Sequence, residues 1–167
     1  MRAMILHSLG QKLQLEYVHD PELPASHILI AVEACGVCRT DLHIVNGELT
    51  QPTLPPVPVH EIVGRVVGVG NGVTGFTAGM RVGVPWLGWT CGICNFCRMD
   101  RENLCDSAYF TGYTLDGGYA ELCVADAKYC FPLDENAAPE SLAPLLCAGL
   151  IGHRALRLAG NTWRIDI

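Results

Sequence analysis

The sequence predicts a mostly β domain with a few helices, and three observations predict it. Short segments rich in β-branched and apolar residues recur through the first two thirds of the chain. Eighteen Gly and ten Pro punctuate them as turns do. Helical spacing of apolar residues takes over only after Pro139. Half of the 167 residues are apolar and 17% are charged, which is a globular composition with enough chain for one core.

In chain order, residues 3–6, 13–18 and 28–34 read as strands, the last with the content of a half-buried one. Pro21, Pro24 and the Gly36 region separate them. Residues 38–45 predict a short helix with Cys38 near its start, where Thr40 and Asp41 are also plain capping types. Residues 52–58 hold four Pro and predict an extended loop. Residues 62–69 and 81–84 are again strand-like. Trp86 and Leu87 suit either a pocket wall or ordinary core. Residues 119–125 and 129–133 complete the strands. Residues 140–146 and 150–158 carry helical spacing, with Leu145, Leu146, Ile151, Ala155 and Leu158 as the apolar set. Residues 161–167 suggest no regular element.

The run Gly70-Asn71-Gly72-Val73-Thr74-Gly75 satisfies G-x-G-x-x-G. It follows a strand, but Phe76-Thr77-Ala78-Gly79 opens no helix and no acidic residue stands about 20 positions on, so it reads as a turn between strands.

The formal charge is −6 and no Lys/Arg cluster stands out, which argues against a nucleic-acid partner. The apolar stretch at the N-terminus is too short for a signal peptide. No run of about 18 apolar residues suggests a membrane span. Nine Cys, an odd number, point to a reducing compartment and to metal ligands over disulfides. The expected setting is the cytoplasm.

Residues 88–105 show little periodicity and hold four of the Cys. Cys91, Cys94, Cys97 and Cys105 give C-x2-C-x2-C-x7-C. Four thiolates can close a tetrahedral shell around Zn2+, and the ion then supplies folding energy to a lobe with little core of its own. A bacterial ferredoxin run has a different last gap and a Pro after it, whereas here the gap is seven and Asp106 follows. A second set is scattered: Cys38, His60-Glu61 and Cys147. Two Cys and one His are the three-ligand set of a catalytic zinc that keeps one position open.

Gly36-Val37-Cys38-Arg39-Thr40-Asp41-Leu42-His43, then His60-Glu61, the four-Cys lobe and Leu146-Cys147-Ala148-Gly149 resemble the zinc-dependent medium-chain alcohol dehydrogenases, in order and in rough interval. The resemblance covers about residues 1 to 160. It implies a GroES-like β-barrel catalytic domain with a zinc-bound cysteine lobe. It implies two zincs per chain: a catalytic ion on Cys38, His60 and Cys147, and a structural ion on the four-Cys lobe. By the same resemblance Glu61 approaches the metal, Asp41 holds the His60 ring, Thr40 accepts the proton of a bound alcohol, His43 passes it to solvent, and Arg39 touches the cofactor pyrophosphate.

The implied activity is oxidation of an alcohol to an aldehyde or ketone with hydride transfer to NAD(P). Three positions depart from the family pattern: Val59, Met80 and Ile151 stand where Gly, Asp and Thr are common. The implied division is a catalytic domain at residues 1–150, with the lobe at 88–106, then a helical connector and irregular tail at 151–167. The match ends before the family's Rossmann domain, so the expectation for the 167 residues alone is little or no turnover, and self-association into a homo-oligomer through surface that domain would cover. A competing reading is a zinc-binding or interaction protein that keeps fold and metal without catalysis. A GroES-like chaperonin cofactor leaves seven spaced ligands unexplained.

Overall fold

The computed structural model describes residues 1–49 and 56–160. Its centre is a five-stranded antiparallel sheet in the order β8-β3-β4-β5-β9, formed by Leu122–Asp126, His27–Gly36, Glu61–Val69, Arg81–Val84 and Phe131–Pro132. A ribbon of β1 (Arg2–Ile5) and β2 (Gln14–Tyr17) joins it through an isolated bridge between Ala3 and Ala120. A second ribbon, β6 (Leu87–Trp89) with β7 (Tyr109–Phe110), carries the cysteine lobe between its strands. The mostly β expectation holds.

Alternation explains the sheet. Ile28 and Ile30 of β3, Ile62 and Val66 of β4, Val82 and Val84 of β5, and Cys123 and Ala125 of β8 form one core with Cys130. The register of β3 on β4 shifts twice. At the second shift Val32 opposes Gly64 and Ala34 opposes Val63, which leaves Glu33 as the extra residue of a bulge. The strands end with Gly36 opposite Glu61. The run of glycines from Gly70 is a turn between β4 and β5, with Gly72 and Gly75 at positive φ.

Several expected boundaries move. Strand β8 starts at Leu122 rather than at residue 119. Tyr129 lies in a 3-10 turn, Ala127–Tyr129, and the strand expected at 129–133 shrinks to Phe131–Pro132, where Pro132 has no N–H for a ladder. The strands β6 and β7 are two or three residues long and carry no visible alternation. The segment expected as one helix at 140–146 is α2 (Pro139–Leu142) followed by a 3-10 turn, Ala143–Leu146. Pro144 has no N–H to continue the α pattern.

Helix α3 then runs over Ala148–Ala159 with no buried residue. Of the apolar set expected there, Leu146 is buried while Leu145, Ile151 and Leu158 are exposed. Residues 52–55 of the proline-rich loop, and the tail from 161 on, lie outside the described residues; 56–58 form no regular element. Among the described residues no single helix is long and apolar enough to cross a membrane.

Candidate metal centre

Four residues from three places in the chain converge. One ligand atom each from Cys38, His60, Glu61 and Cys147 lies within 4.8 Å of the other three. The Cys38 Sγ is 3.6 Å from His60 Nε2 and 4.0 Å from Cys147 Sγ. Metal–sulfur and metal–nitrogen bonds of about 2.3 and 2.0 Å at tetrahedral angles put sulfur about 3.5 Å from nitrogen and about 3.8 Å from sulfur. The donor set and its spacings fit a tetrahedral cation.

Local structure delivers each side chain. Cys38 is the N-cap of α1 (Arg39–Val45): its sulfur accepts from the Thr40 N–H at 3.3 Å. The Asp41 Oδ2 accepts from the Cys38 N–H at 2.8 Å, which completes a reciprocal cap. The other oxygen, Oδ1, faces His60 Nδ1 at 3.2 Å. Asp41 and His60 are both buried. One carboxylate therefore starts the helix and turns the imidazole so that Nε2 faces the sulfurs.

The approach to His60 is strained. Val59 is fully buried at φ +80°, a conformation that costs a β-branched residue on the order of 1–3 kcal/mol. Its backbone is seated by the Gly118 N–H, which donates to the Val59 carbonyl at 2.9 Å. A β-carbon on Gly117 would collide with that carbonyl, so the close approach requires glycine there. Trp86 and the His60 ring meet edge to face at 4.9 Å between centroids, and Phe110 stacks on Trp86 at 5.0 Å. Trp86 is half-buried against the His60 ring, and Leu87 opens β6.

The cluster crowds groups that carry negative charge when ionised. Burial first, and then the Cys38 sulfur, push the Cys147 thiol up to about 12. Burial raises the Glu61 carboxyl above its ordinary value against the pull of His60. A cation relieves that crowding. Glu61 reaches the cluster only because Gly36, its cross-strand partner, has no side chain: a β-carbon there would collide with the Glu61 carboxylate.

Thr40 and His43 lie three positions apart on α1, hence on one face. The His43 ring pairs through Nδ1 with Glu48, a partner that the sequence reading did not single out. Arg39 is exposed at the first helical position.

The second group is Cys91, Cys94, Cys97 and Cys105. Sulfur separations are 3.5 Å for Cys94–Cys97, 3.6 Å for Cys91–Cys105 and 4.0 Å for Cys91–Cys97. They bracket the edge of about 3.8 Å of a tetrahedron of thiolates at 2.3 Å. Backbone N–H groups point inward, from Cys94 to Cys91 at 3.4 Å and from Cys97 to Cys94 at 3.5 Å. The backbone N–H groups of Ile93 and Cys94 pull the Cys91 thiol down to about 6. All nine Cys are free of disulfides. A cavity of about 430 Å³ lies elsewhere, against β8, lined in part by Trp89, Tyr109, Leu115 and Cys123 and by no member of either cluster.

Residues 24–135 match the alcohol dehydrogenase GroES-like domain family. The chain is 42% identical over 161 residues to an alcohol dehydrogenase of Geobacillus stearothermophilus, covering 96% of this chain and 48% of that one. It is 38% identical over 167 residues to an NAD-dependent alcohol dehydrogenase of Sulfolobus acidocaldarius, covering 95% and 48%. The crystal structure of the alcohol dehydrogenase from the archaeon Aeropyrum pernix superposes with a TM-score of 0.85 at 34% identity, covering 97% of this chain and 49% of that one. The chain spans about half the length of the curated relatives it matches.

Proposed function

Because the chain belongs to the family of alcohol dehydrogenase GroES-like domains, we propose that it is the metal-bearing catalytic part of a zinc-dependent alcohol dehydrogenase. The reaction is oxidation of a small alcohol to an aldehyde or ketone, with hydride passed to NAD(P). The observation that supports this most is the meeting of Cys38, His60 and Cys147, with Glu61 beside them, at spacings that suit one tetrahedral ion. On this reading residues 1–150 are the catalytic domain, 88–106 its structural zinc lobe, and 151–167 a connector.

Bound zinc supplies Lewis acidity that lowers the pKa of an alcohol oxygen. Asp41 accepts the Nδ1 proton of His60 and so leaves Nε2 as the metal-facing lone pair. Thr40 takes the alcohol proton and His43, three positions along the same face and braced by Glu48, carries it to solvent. Glu61, whose carboxylate lies among the ligand atoms of Cys38, His60 and Cys147, would stand within reach of the ion and could assist exchange of its ligands. Arg39 offers its guanidinium to the cofactor pyrophosphate. Trp86 shields His60 from water.

Two zincs per chain belong to the proposal, the second on Cys91, Cys94, Cys97 and Cys105. So does a cytoplasmic setting, supported by nine free thiols. Homo-oligomerisation is supported by exposed Leu150, Ile151, Leu156 and Leu158 on α3, and light scattering tests it.

The functional test is NAD(P)-linked oxidation of small alcohols by the whole gene product beside its Cys38→Ser variant. Turnover lost in the variant supports the reading, and turnover unchanged by it refutes the assignment. Residues 1–167 expressed alone are expected to turn over little.

A further inference from the structure

We infer that Arg81 is a positioning residue for Cys147, its guanidinium holding the turn that leads the third ligand into the cluster. The inference rests on reading Cys38, His60 and Cys147 as one metal site.

The three side chains are not held alike. Cys38 and His60 flank the last rung of the β3–β4 ladder, Gly36 opposite Glu61, so the central sheet fixes both. Cys147 comes from 109 residues away along the chain. The helix that follows it, α3, buries none of its residues and cannot hold it from behind. Cys147 must be fixed from the side that precedes it.

Two contacts do so. Leu146 is buried with Val63 and Ala143, against Gly83, where a β-carbon would meet the leucine at 2.8 Å. The other is Arg81, the first residue of β5, with its side chain 8% exposed. Its Nη1 donates to the carbonyls of Asp134, Glu135 and Ala137 at 3.2, 2.9 and 2.8 Å. Its backbone N–H donates to the Glu135 carboxylate at 2.8 Å, and its carbonyl accepts from the Leu133 N–H at 3.0 Å. One residue thus gathers the turn from which α2 departs toward Cys147.

The same guanidinium is registered on the strand that delivers Cys38. Its Nε donates to Glu33 Oε2 at 3.0 Å, and Glu33 is the extra residue of the β3 bulge, turned out of the ladder toward the arginine. Arg65 closes the network, donating to the other Glu33 oxygen at 2.9 Å and to Glu135 at 2.8 Å. A planar fork with several fixed donors can span a carboxylate and three carbonyls at once, which a lysine ammonium cannot.

The test is release of zinc to a chelator from the zinc-loaded chain and from Arg81→Met, Cys147→Ser and the double variant. In Arg81→Met one zinc per chain is expected to leave about 10- to 100-fold faster, the scale found when groups that orient a ligand are removed. The other zinc leaves at the wild-type rate. In the double variant the fast zinc leaves no faster than in Cys147→Ser alone, because Arg81 acts through that ligand. A merely structural arginine would loosen both zincs or give additive effects, and either result, or no acceleration at all, overturns the inference. Should Arg81→Met not fold, Arg81→Lys gives the same comparison, with a smaller acceleration that is again absent beside Cys147→Ser. Wild-type release from Cys147→Ser would instead sink the metal-site reading itself.

Discussion

Asp41→Asn separates two tasks that one carboxylate performs. Both Asp41 oxygens are used: Oδ1 faces His60 Nδ1 at 3.2 Å and Oδ2 accepts from the Cys38 N–H at 2.8 Å. Asparagine has the same shape but only one acceptor oxygen, so one of the two donors must face an NH2 group. Leaving a buried donor unmade costs about 1–3 kcal/mol, and at 1.4 kcal/mol per decade that is about 5- to 150-fold. If the amide oxygen keeps the cap, the loss falls on His60 and appears as weaker metal binding. If it turns to His60, the loss falls on the start of α1 and appears as a lower melting temperature. The assay is a chelator-competition titration of the metal paired with thermal unfolding of the metal-free chain. The two losses together should total at least about 1 kcal/mol. An Asn variant matching the wild type in both measurements refutes the bridging role.

Gly36→Ala should cost about 1–3 kcal/mol by overpacking, because its β-carbon collides with the Glu61 carboxylate; urea unfolding should show most of that cost vanish beside Glu61→Ala, and a cost unmoved by Glu61→Ala would exclude the collision as its cause. Burial pushes the Cys123 thiol in the core from 9.0 up to about 12. The folded chain keeps this proton where the unfolded chain loses it, so stability is whole below pH 9.0 and falls as pH climbs toward 12. Urea midpoints on either side of pH 9.0 should show that alkaline loss diminished in Cys123→Ala, and identical pH slopes in the two proteins would contradict it. Glu135 is held below the ordinary carboxylate value, first by the Arg81 N–H and then by Arg65. Its contribution is present above that ordinary value and is lost as pH falls through the lowered one, so a carboxyl NMR titration should place its midpoint below 4.5, and a midpoint at or above 4.5 would count against the network.

Both clusters were legible in the sequence for different reasons. The four-Cys lobe announces itself by local spacing, since residues two or three apart can turn toward one point without help from the fold. Cys38, His60 and Cys147 carry no such spacing, and only their order beside the lobe made them readable. What stayed hidden was the geometry between strands. Gly36 lies 25 positions before Glu61, and nothing local says that its missing side chain makes room for that carboxylate. Arg81, Glu33 and Glu135 look like scattered surface charges until the β3 bulge and the 134–137 turn bring them together. The exposed face of α3 shows the opposite failure: its apolar period marks a face made for burial, yet none of its side chains is buried among the described residues.

On the proposed reading, folding gathers residues 38, 60 and 147 around one ion, independently of the cysteine lobe. Metal content by mass spectrometry of the native chain tests it most directly. Two zincs per chain, falling to one in Cys38→Ser while the lobe keeps its own, is the predicted result. A wild-type chain that binds a single zinc, or a Cys38→Ser chain that still binds two, would contradict it.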